Sequence, residues 1–415
     1  MAEPAGPSAR QLSSLDAKAL AARALAASPA DVTTAIRRDR PELPDLAVLL
    51  SPAAADQLEE LAQRARALTL QRFGRVLRLF APLYLSNECL STCTYCGFAR
   101  TVPGPRDTLG LARVEQDARV LAGRGFRHLL LVSGEHRRHV SPEYLLDCVL
   151  RLREIVPSLA IETQTWSAPV YRRLVAAGLE GVVHYQETYD RDRYRQVHPR
   201  GWKRDYDRRL NAMDAAGEAG ARRLGVGTLL GLSHDWRADV LAVAAHARLL
   251  QRRYRGAEVT VSLPRITPSG SGFQPEVVLD SATYVQAVAA LRLFLPTAGI
   301  VLSTREPATL RDGLAQIAVT HLSAGSSTEP GGYTTPSGTG EQFQVIDQRS
   351  AHEVAGMLAA AGYEPVFHDA LPVPVAVPSS HPRTLHDLRH AGASGGSGPA
   401  VSAGSTTGTP STWTT

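Results

Sequence analysis

The sequence predicts an α/β fold, a (β/α)8 barrel of the TIM type, and two observations lead to this prediction. Eight short apolar segments with the character of β-strands recur between residues 77 and 325, and amphipathic stretches with helical spacing lie between them. Strand and helix alternating eight times is the pattern of a closed parallel barrel. The alternative, an open doubly wound sheet, would carry a glycine-rich turn after its first strand, and the sequence has none there.

Each predicted strand ends in small or polar residues, as in the stretches SGE, QET and STRE. Barrel enzymes place their catalytic residues at the carboxyl ends of the strands, so we expect the active site among these endings. The predicted strands are Leu77–Ser86, His128–Gly134, Leu159–Gln164, Gly181–Thr188, Arg223–Leu232, Glu258–Arg265, Gly299–Glu306 and Val319–Gly325.

Three regions are predicted along the chain. Residues 1–74 carry alanine, leucine and arginine at helical spacing and predict an N-terminal extension of two or three helices. Residues 75–370 would form the barrel. Residues 371–415 are rich in proline, glycine, serine and threonine, a composition that buries too little apolar surface to fold, so a disordered C-terminal tail is predicted.

The composition is that of a globular protein with a large core: 415 residues, of which 44% are hydrophobic and 20% charged. Four cysteines in a chain of this length exclude a small secreted domain held by disulfides. No apolar run approaches the roughly 20 residues of a membrane span, and the first residues lack the pattern of a secretory signal. We therefore expect a soluble, cytoplasmic protein without a membrane partner.

The net charge of +5 comes mainly from arginine, since only Lys18 and Lys203 among the 45 basic residues are lysines. The arginines are interleaved with aspartate and glutamate, and aromatic residues make up 6% of the chain. A nucleic-acid surface would instead show clustered basic stripes with stacking aromatic residues. We therefore expect no nucleic-acid partner.

Three of the four cysteines lie in one short stretch, LYLSNECLSTCTYCGF. Cys89, Cys93 and Cys96 form a C-x3-C-x2-C array directly after the first predicted strand, whereas Cys148 stands alone and is expected in the core. Three thiolates in one loop indicate a metal centre. Structural zinc usually takes four ligands, whereas a 4Fe–4S cluster on three cysteines leaves one iron open. The alternative is a zinc-stabilised interaction scaffold without enzymatic activity.

The cysteine array, with Tyr95 before its last member, resembles the signature of the radical S-adenosylmethionine superfamily. Further stretches resemble one family within it, the 2-iminoacetate synthases, which are the tyrosine lyases of thiamin thiazole biosynthesis. These stretches are GVVHYQETYDRDRY, HPRGWKRDYDRRL, GTLLGLSHDWRADV, SGFQPEV, GIVLSTREPATLRDG and HLSAGSSTEPGGY. The resemblance covers about residues 75–370 and implies two cofactors, a 4Fe–4S cluster and S-adenosyl-L-methionine.

Two related families depart from this sequence. The hydrogenase-maturation tyrosine lyase holds a second cluster on a C-terminal cysteine motif, and biotin synthase uses additional barrel cysteines. No cysteine follows Cys148 here, so the resemblance to these two relatives does not extend to their second clusters. A tryptophan lyase that makes an indolic acid for a natural product remains the alternative, because no residue is tied specifically to a phenol or an indole.

The resemblance implies roles for individual residues in binding the cofactors. Cys89, Cys93 and Cys96 would hold the cluster. The residues that would contact S-adenosylmethionine are Tyr95, Ser133, Gly134, Glu135, Gln186, Glu187 and Arg209. Ser133 stands where the superfamily has the first glycine of Gly-Gly-Glu, and Arg209 matches the arginine that pairs with the cofactor carboxylate, a task suited to the guanidinium fork.

Arg305, in LSTRE, is the leading candidate to bind the carboxylate of the amino-acid substrate, because a guanidinium fixes both charge and orientation. The alternative for Arg305 is a structural ion pair with a neighbouring acid. Tyr95 and Ser323 are further catalytic candidates. Ser303 and Arg265 are weaker candidates for the same pocket.

The resemblance also implies the reaction. A reduced cluster would cleave S-adenosylmethionine to methionine and a 5′-deoxyadenosyl radical, which would take a hydrogen atom from the amino group of L-tyrosine. Fragmentation across the Cα–Cβ bond would give 2-iminoacetate (dehydroglycine) and p-cresol. The expected partners are an electron donor such as flavodoxin or ferredoxin, and a thiazole synthase that receives the readily hydrolysed iminoacetate.

Overall fold

The computed structural model describes residues 6–335 and 338–367, and a barrel of parallel strands forms its centre. The strands are β1 Val76–Ser86, β2 His128–Ser133, β3 Ser158–Glu162, β4 Gly181–Glu187, β5 Arg223–Thr228, β6 Glu258–Ser262, β7 Gly299–Leu302, β8 His321–Ser323 and β9 Glu364–Val366. Strands β2 to β8 follow one another in chain order, and β1 closes the barrel by pairing in parallel with both β8 and β2. The predicted (β/α)8 barrel is confirmed.

The helices of the described residues fall into two groups, those before β1 and those that surround the barrel. They are α1 Pro7–Leu12, α2 Ala17–Ala24, α3 Pro29–Arg37, α4 Leu43–Leu49, α5 Leu58–Phe73, α6 Leu111–Gly123, α7 Pro142–Leu152, α8 Ala168–Ala177, α9 Arg191–Val197, α10 Tyr206–Glu218, α11 Trp236–Arg253, α12 Ser281–Phe294, α13 Ala308–Ile317 and α14 Ala351–Ala360, with 3-10 turns at Pro52–Gln57 and Trp202–Arg204. No helix among these combines the length and the apolar character that crossing a membrane requires.

All eight predicted strands are present, but several end earlier than predicted. Strand β5 ends at Thr228 and β7 ends at Leu302, each four residues before the predicted boundary. Beyond these points the backbone pairs with neighbouring loops, as where the amide of Leu230 donates to the carbonyl oxygen of Pro264 at 2.8 Å. The residues wrongly assigned to strands are therefore the ones that form the rim of the barrel.

The N-terminal region contains five helices and a 3-10 turn, more than the two or three helices predicted. Proline lies in the first turn of four of these elements, at Pro7, Pro29, Pro44 and Pro52, where the missing N–H costs nothing. Ser28 and Asp31 add a capping box to α3. The alanine and leucine periodicity continues across the boundaries between these short helices, so it did not indicate where each helix ends. The helices pack on the barrel, with α2 and α4 against α11 and α5 against α12 and α13.

Strand β9 was not predicted. It pairs in parallel with the first residues of β1, Val76 to Arg78, and the amide of Arg127 donates to the carbonyl oxygen of Phe367 at 2.9 Å. These contacts place β9 below β2, at the amino end of the barrel. The predicted tail, residues 371–415, lies outside the described residues.

Candidate active site

A cavity opens at the carboxyl end of the barrel strands, between the cysteine loop that follows β1 and the described residues after β8, 326–335 and 338–343. The structure brings together here most of the residues singled out in the sequence. Those that line the cavity are Cys89, Cys93, Tyr95, Cys96, Ser133, Gly134, Glu135, Glu187, Arg209, Ser303, Arg305 and Ser323. Gln186 and Arg265 are not brought there.

The three cysteines are free thiols that line this cavity. Burial raises the pKa of each thiol, to about 12 for Cys89, so a bound cation is needed to hold them as thiolates near neutral pH. The backbone amides of Glu135 and Phe98 donate to the Sγ atoms of Cys89 and Cys96, both at 3.4 Å. Such donors stabilise charge on metal-bound sulfur.

The spacing of the cysteine sulfurs favours a cluster over a single zinc ion. The three Sγ atoms do not all lie within 4.8 Å of one another, whereas three thiolates on one tetrahedral zinc ion, with Zn–S bonds of about 2.3 Å, would be about 3.8 Å apart. Within the described part of the chain, no histidine or carboxylate completes a closely spaced set with these cysteines. The donor set therefore fits a group that spreads its ligands over separate irons.

Arg106 holds the cysteine loop in shape, a role that the sequence analysis missed. Its guanidinium donates to the carbonyl oxygens of Asn87, Phe98, Ala99 and Val102 at 2.7 to 2.9 Å. One side chain thereby joins the residues that precede the cysteines to those that follow them. The contacts are to backbone oxygens, so no pairing of residue types in the sequence signals them.

The segment Ser133–Glu135 is attached directly to the cysteine loop. A Cβ atom at Gly134 would lie 2.3 Å from the carbonyl oxygen of Glu88, so a larger residue would push the loop away. The amide of Leu90 donates to the carbonyl oxygen of Glu135 at 2.9 Å, and the hydroxyl of Ser91 donates to the Glu135 carboxylate at 3.1 Å. The end of β2 and the cysteines therefore form one rigid wall of the cavity.

Two ion pairs lie beside this wall. Arg209 Nη1 donates to Glu135 Oε1 at 3.0 Å, and Lys203 Nζ donates to Glu187 Oε1 at 2.6 Å. Burial opposes ionisation of Glu187, but Lys203 and Arg209 outweigh it and lower the pKa of its carboxyl. Glu187 has a φ of 70°, and it is the one non-glycine residue with positive φ in the described part of the chain. Backbone strain of this kind concentrates at functional sites.

Gln186 points away from the cavity. Its Nε2 donates to the carbonyl oxygen of Tyr206 at 3.2 Å, so its amide faces α10 instead. Side chains alternate between the two faces of a strand, so Gln186 and its neighbour Glu187 face opposite sides. This alternation was available in the sequence and could have separated the two residues.

Tyr95 contributes its ring to the cavity, whereas its hydroxyl has a partner elsewhere. The hydroxyl donates to Nε2 of His198 at 2.8 Å, and Nδ1 of His198 faces the carbonyl oxygen of Tyr194 at 2.9 Å. The carbonyl fixes the proton on Nδ1, which leaves Nε2 as the acceptor. Among the described residues, the Tyr95 hydroxyl is therefore engaged in holding the cysteine loop against α9.

Arg305 presents a guanidinium without a carboxylate partner among the described residues. Its Cζ lies 3.4 Å from the centre of the Phe343 ring, and Nη1 is 3.4 Å from Oγ1 of Thr267. Arg265 differs, because its Nε donates to both carboxylate oxygens of Glu306, at 3.0 and 3.1 Å. Of the two arginines considered for the substrate, Arg305 is the one that faces the cavity.

Glu162, at the end of β3, is a cavity residue that the sequence analysis did not single out. Burial and the nearby charge of Glu187 raise the pKa of its carboxyl to about 7, and no described residue hydrogen-bonds it. The other carboxylates that line the cavity, Glu135 and Glu187, are paired with Arg209 and Lys203. The position of Glu162 in the polar ending ETQ was the available signal.

Gln342 joins the segment after β8 to the cysteine loop. Its Oε1 accepts a hydrogen bond from the Tyr84 hydroxyl at 2.7 Å, and its Nε2 lies 3.9 Å from Sγ of Cys96. Its carbonyl oxygen accepts from the amide of Gly97 at 2.9 Å. The next residue, Phe343, stacks on Arg305. Two adjacent residues thus contact Cys96 and Arg305, on two sides of the cavity.

Two family matches divide the chain at the middle of the barrel. Residues 83–246 match the Radical SAM superfamily, and residues 262–364 match the Biotin and Thiamin Synthesis associated domain. The first match contains the three cysteines and the other residues predicted to bind the cofactors. The second match contains Arg305, Ser323 and Gln342.

Similar proteins cover most of the chain. It is 41% identical to the 2-iminoacetate synthases of Escherichia coli (strain K12) and Salmonella typhimurium over 340 residues, 82% of this chain and 90% of each relative. The crystal structure of HydG, a maturase of the [FeFe]-hydrogenase, superposes with a TM-score of 0.79 at 30% identity, covering 85% of this chain and 79% of HydG. Methylornithine synthase (PylB) shares the fold, with a TM-score of 0.65 at 21% identity and coverage of 81% and 97%. The chain therefore belongs to the 2-iminoacetate synthase family of the radical SAM superfamily.

Proposed function

We propose that this protein is a 2-iminoacetate synthase, which cleaves the Cα–Cβ bond of L-tyrosine to 2-iminoacetate and p-cresol for thiamin thiazole biosynthesis. The charge arrangement of the cavity carries the proposal. Arg305 and Glu162 are the cavity residues of opposite charge that make no ion pair with a described residue, and a zwitterionic amino acid offers one carboxylate and one ammonium group. The similarity to relatives of that name supports tyrosine as the amino acid.

In this proposal Arg305 binds the substrate carboxylate. Burial lowers the pKa of its guanidinium, which means that the charge is poorly compensated until an anion arrives. Stacking on Phe343 restricts the plane of the guanidinium, so that the carboxylate is held in one orientation. The amino group is then directed into the cavity, towards Glu162 and the cysteine side.

The residues present fit the two cofactors of the family. Cys89, Cys93 and Cys96 would hold a 4Fe–4S cluster, and the pair Glu135 and Arg209 offers an acceptor and a donor for the zwitterionic methionine end of S-adenosylmethionine. When bound, these groups supply a 5′-deoxyadenosyl radical after one-electron reduction. The contribution of the chain is to hold both groups against the same cavity as the substrate.

The cover over the cavity supports retention of a product that water would destroy. The described residues after β8, 326–335 and 338–343, contact the cysteine loop through Gln342 and the barrel through Tyr333, whose hydroxyl donates to the carbonyl oxygen of Pro82 at 2.7 Å. 2-Iminoacetate hydrolyses readily in water, so we propose direct transfer to a thiazole synthase in the cytoplasm. Flavodoxin or ferredoxin is the proposed source of the electron.

Anaerobic product analysis tests the proposal. The reconstituted protein is incubated with dithionite, S-adenosylmethionine and L-tyrosine, and we expect 5′-deoxyadenosine, p-cresol and glyoxylate, the hydrolysis product of 2-iminoacetate. L-Tryptophan in place of tyrosine is the control. If tyrosine gives no p-cresol while tryptophan gives an indolic product, the enzyme is a tryptophan lyase. A colourless protein with one zinc ion and no absorbance near 400 nm would favour the zinc scaffold.

A further inference from the structure

The outer side of the cysteine loop is covered by one layer of backbone, residues 197–204. The amide of Thr94 donates to the carbonyl oxygen of Val197 at 3.0 Å, and the amide of Thr92 donates to that of Arg200 at 3.1 Å. Gly201 has a φ of 96°, and a Cβ there would lie 2.4 Å from Cα of Ser91. One segment of backbone therefore lies between the cysteine loop and the solvent on this side.

This solvent face is basic. Arg100, Arg138, Arg200 and Arg204 are exposed, and none of them makes an ion pair with a described residue. Many other surface arginines are paired, as Arg191 is with Asp207 at 2.5 Å. The four arginines come from three loops that meet at the cysteines, so their positive charge is a property of the folded surface and is not visible in the sequence.

Glu88 and Asp205 are acidic residues on the described part of this surface. Glu88 faces His139, with Oε1 and Nε2 4.0 Å apart. Asp205 accepts a hydrogen bond from the amide of Arg208 at 3.0 Å and caps α10. Both carboxylates keep their negative charge in these contacts, so they offset part of the positive charge, and the four arginines leave the surface net positive.

An exposed aromatic residue, Trp202, belongs to the same layer of backbone as Arg200 and Arg204. Trp202 is 44% exposed. The guanidinium groups of Arg137 and Arg208 lie 4.2 and 4.8 Å from the centre of its rings. Tryptophan and arginine are the residues most enriched in the energetic centres of protein interfaces. An exposed tryptophan surrounded by arginines is therefore typical of a surface that binds a protein partner.

We propose that this surface, formed by Arg100, Arg137, Arg138, Arg200, Trp202 and Arg204, is the docking site of an acidic one-electron carrier protein of the flavodoxin or ferredoxin type. The inference rests on the proposed function, because each turnover would take two single electrons: one to cleave S-adenosylmethionine to the 5′-deoxyadenosyl radical, and one, with a proton, to reduce the C7H7O radical released from tyrosine to p-cresol. At each of these two transfers one carrier molecule is oxidised by one electron, which enters the protein through the cluster. Opposite charge steers such encounters and makes them sensitive to salt.

The test is a charge reversal that leaves the cavity intact. Arg138→Glu/Arg204→Glu is compared with wild type in anaerobic tyrosine cleavage by the holoenzyme, driven either by a reduced bacterial flavodoxin or by dithionite. We expect the apparent KM for flavodoxin at low ionic strength to rise at least about tenfold, while the dithionite-driven rate stays within about twofold. Added salt should slow the flavodoxin-driven reaction of wild type more than that of the variant.

A matched control has the same change of charge at the opposite end of the barrel. Arg252 and Arg255 are exposed at the C-terminal end of α11 and make no ion pair with a described residue. Arg252→Glu/Arg255→Glu should therefore leave the KM for flavodoxin close to that of wild type. An equal rise in KM in both double variants would indicate net charge alone and would overturn the docking site.

Two further outcomes overturn the proposal. One is an unchanged KM for flavodoxin in the Arg138→Glu/Arg204→Glu variant, and the other is an equal loss of rate with flavodoxin and with dithionite. Calorimetric titration of oxidised flavodoxin into the same three proteins measures docking without any turnover. Failure of wild type to cleave tyrosine with dithionite would count against the proposed function, whereas loss of flavodoxin binding only in the Arg138→Glu/Arg204→Glu variant would still support the docking site.

Discussion

The two ends of the barrel use the same kinds of charged residue in opposite ways. At the amino end, residues at or near the strand starts form a closed network: Glu258 accepts from Arg78 Nη1 at 2.7 Å and from Arg223 Nε at 3.3 Å, and Arg223 Nη1 lies 3.1 Å from Nε2 of His128. At the carboxyl end, Arg305 and Glu162 have no ion-pair partner among the described residues. At the amino end the charged residues pair with one another, whereas at the carboxyl end Arg305 and Glu162 have no ion-pair partner among the described residues.

This difference separates residues that stabilise the fold from residues that bind. A buried charge with a partner stabilises the structure only as long as the partner remains, because removing one member leaves the other uncompensated. A buried charge without a partner costs stability until a ligand supplies the opposite charge. Substitutions at the amino end should therefore lower stability, and substitutions at the carboxyl end should lower activity.

The largest expected effect is that of Cys93→Ala. Two cysteines cannot hold the cluster that three hold, so anaerobic reconstitution should yield little iron, no absorbance near 400 nm and no tyrosine cleavage above background. Cys148→Ala is the control. Because Cys148 lies in the core, this variant should retain the cluster. Full activity in Cys93→Ala would refute the metal assignment.

Arg305→Ala comes next. Loss of a charge-assisted contact to the substrate carboxylate should lower kcat/KM for tyrosine by about 100-fold. The thermal midpoint should not fall, because the removed guanidinium has no ion-pair partner in the described structure. Arg305→Lys keeps the charge and should recover part of the activity. Parallel steady-state kinetics and thermal unfolding measure both effects, and a fall in stability without a fall in kcat/KM would assign Arg305 to the fold.

Glu258→Gln should have the reverse effect, lower stability at unchanged activity of the folded enzyme. Burial opposes ionisation of Glu258, but His321, Arg223 and Arg78 outweigh it and lower the pKa from 4.5 to about 2. The folded-state pKa is the lower one, so this stabilisation is present above pH 4.5 and is lost as the pH falls towards 2. The variant should be less stable by about 2 kcal/mol at pH 7 and by less at pH 3.

Denaturant unfolding of the reduced apo-protein at both pH values measures this difference. Glu364→Gln is the matched control, because Glu364 lies at the same end of the barrel but is exposed. Equal losses of stability at pH 7 and pH 3 would mean that the ionised carboxylate of Glu258 is not the source of the stabilisation.

The smallest expected effect is that of Gln342→Leu. The amide lies 3.9 Å from Sγ of Cys96, and a hydrogen-bond donor near a cluster sulfur raises the reduction potential. Its removal should lower the midpoint potential of the cluster by tens of millivolts, on the order of a weak hydrogen bond. Potentiometric titration followed by electron paramagnetic resonance measures the shift. Gln342→Glu, which removes the donor but keeps an acceptor for Tyr84, should shift the potential in the same direction.

The sequence was sufficient for the parts of the molecule that local pattern determines. The eight strands follow from apolar runs, and the cysteine array follows from spacing within one loop. The number of N-terminal helices was wrong because breaks at Pro29, Pro44 and Pro52 interrupt one continuous alanine and leucine pattern. Prolines in first turns were the better signal there.

The rest of the site depends on contacts between distant segments. Gln342 and Cys96 are 246 positions apart in the sequence, and no local pattern predicts that they come into contact. The stacking of Phe343 on Arg305 likewise depends on how the segment after β8 crosses the barrel. The alternation of side chains along a strand indicates that Gln186 and Glu187 cannot both face the cavity. The prediction followed the resemblance to the family instead and included both residues. Which charged side chains lack an ion-pair partner therefore depends on long-range packing and not on residue type.

Glu187 carries two opposed requirements. Its backbone, at a φ of 70°, favours glycine, whereas the pairing of its carboxylate with Lys203 requires glutamate. A glycine at position 187 would relieve the backbone strain, but it would also leave the largely buried Lys203 without its carboxylate partner, and the second effect on stability is the larger one. A library selected for heat resistance should therefore retain glutamate at position 187, just as a library selected for activity should, although the backbone there is strained.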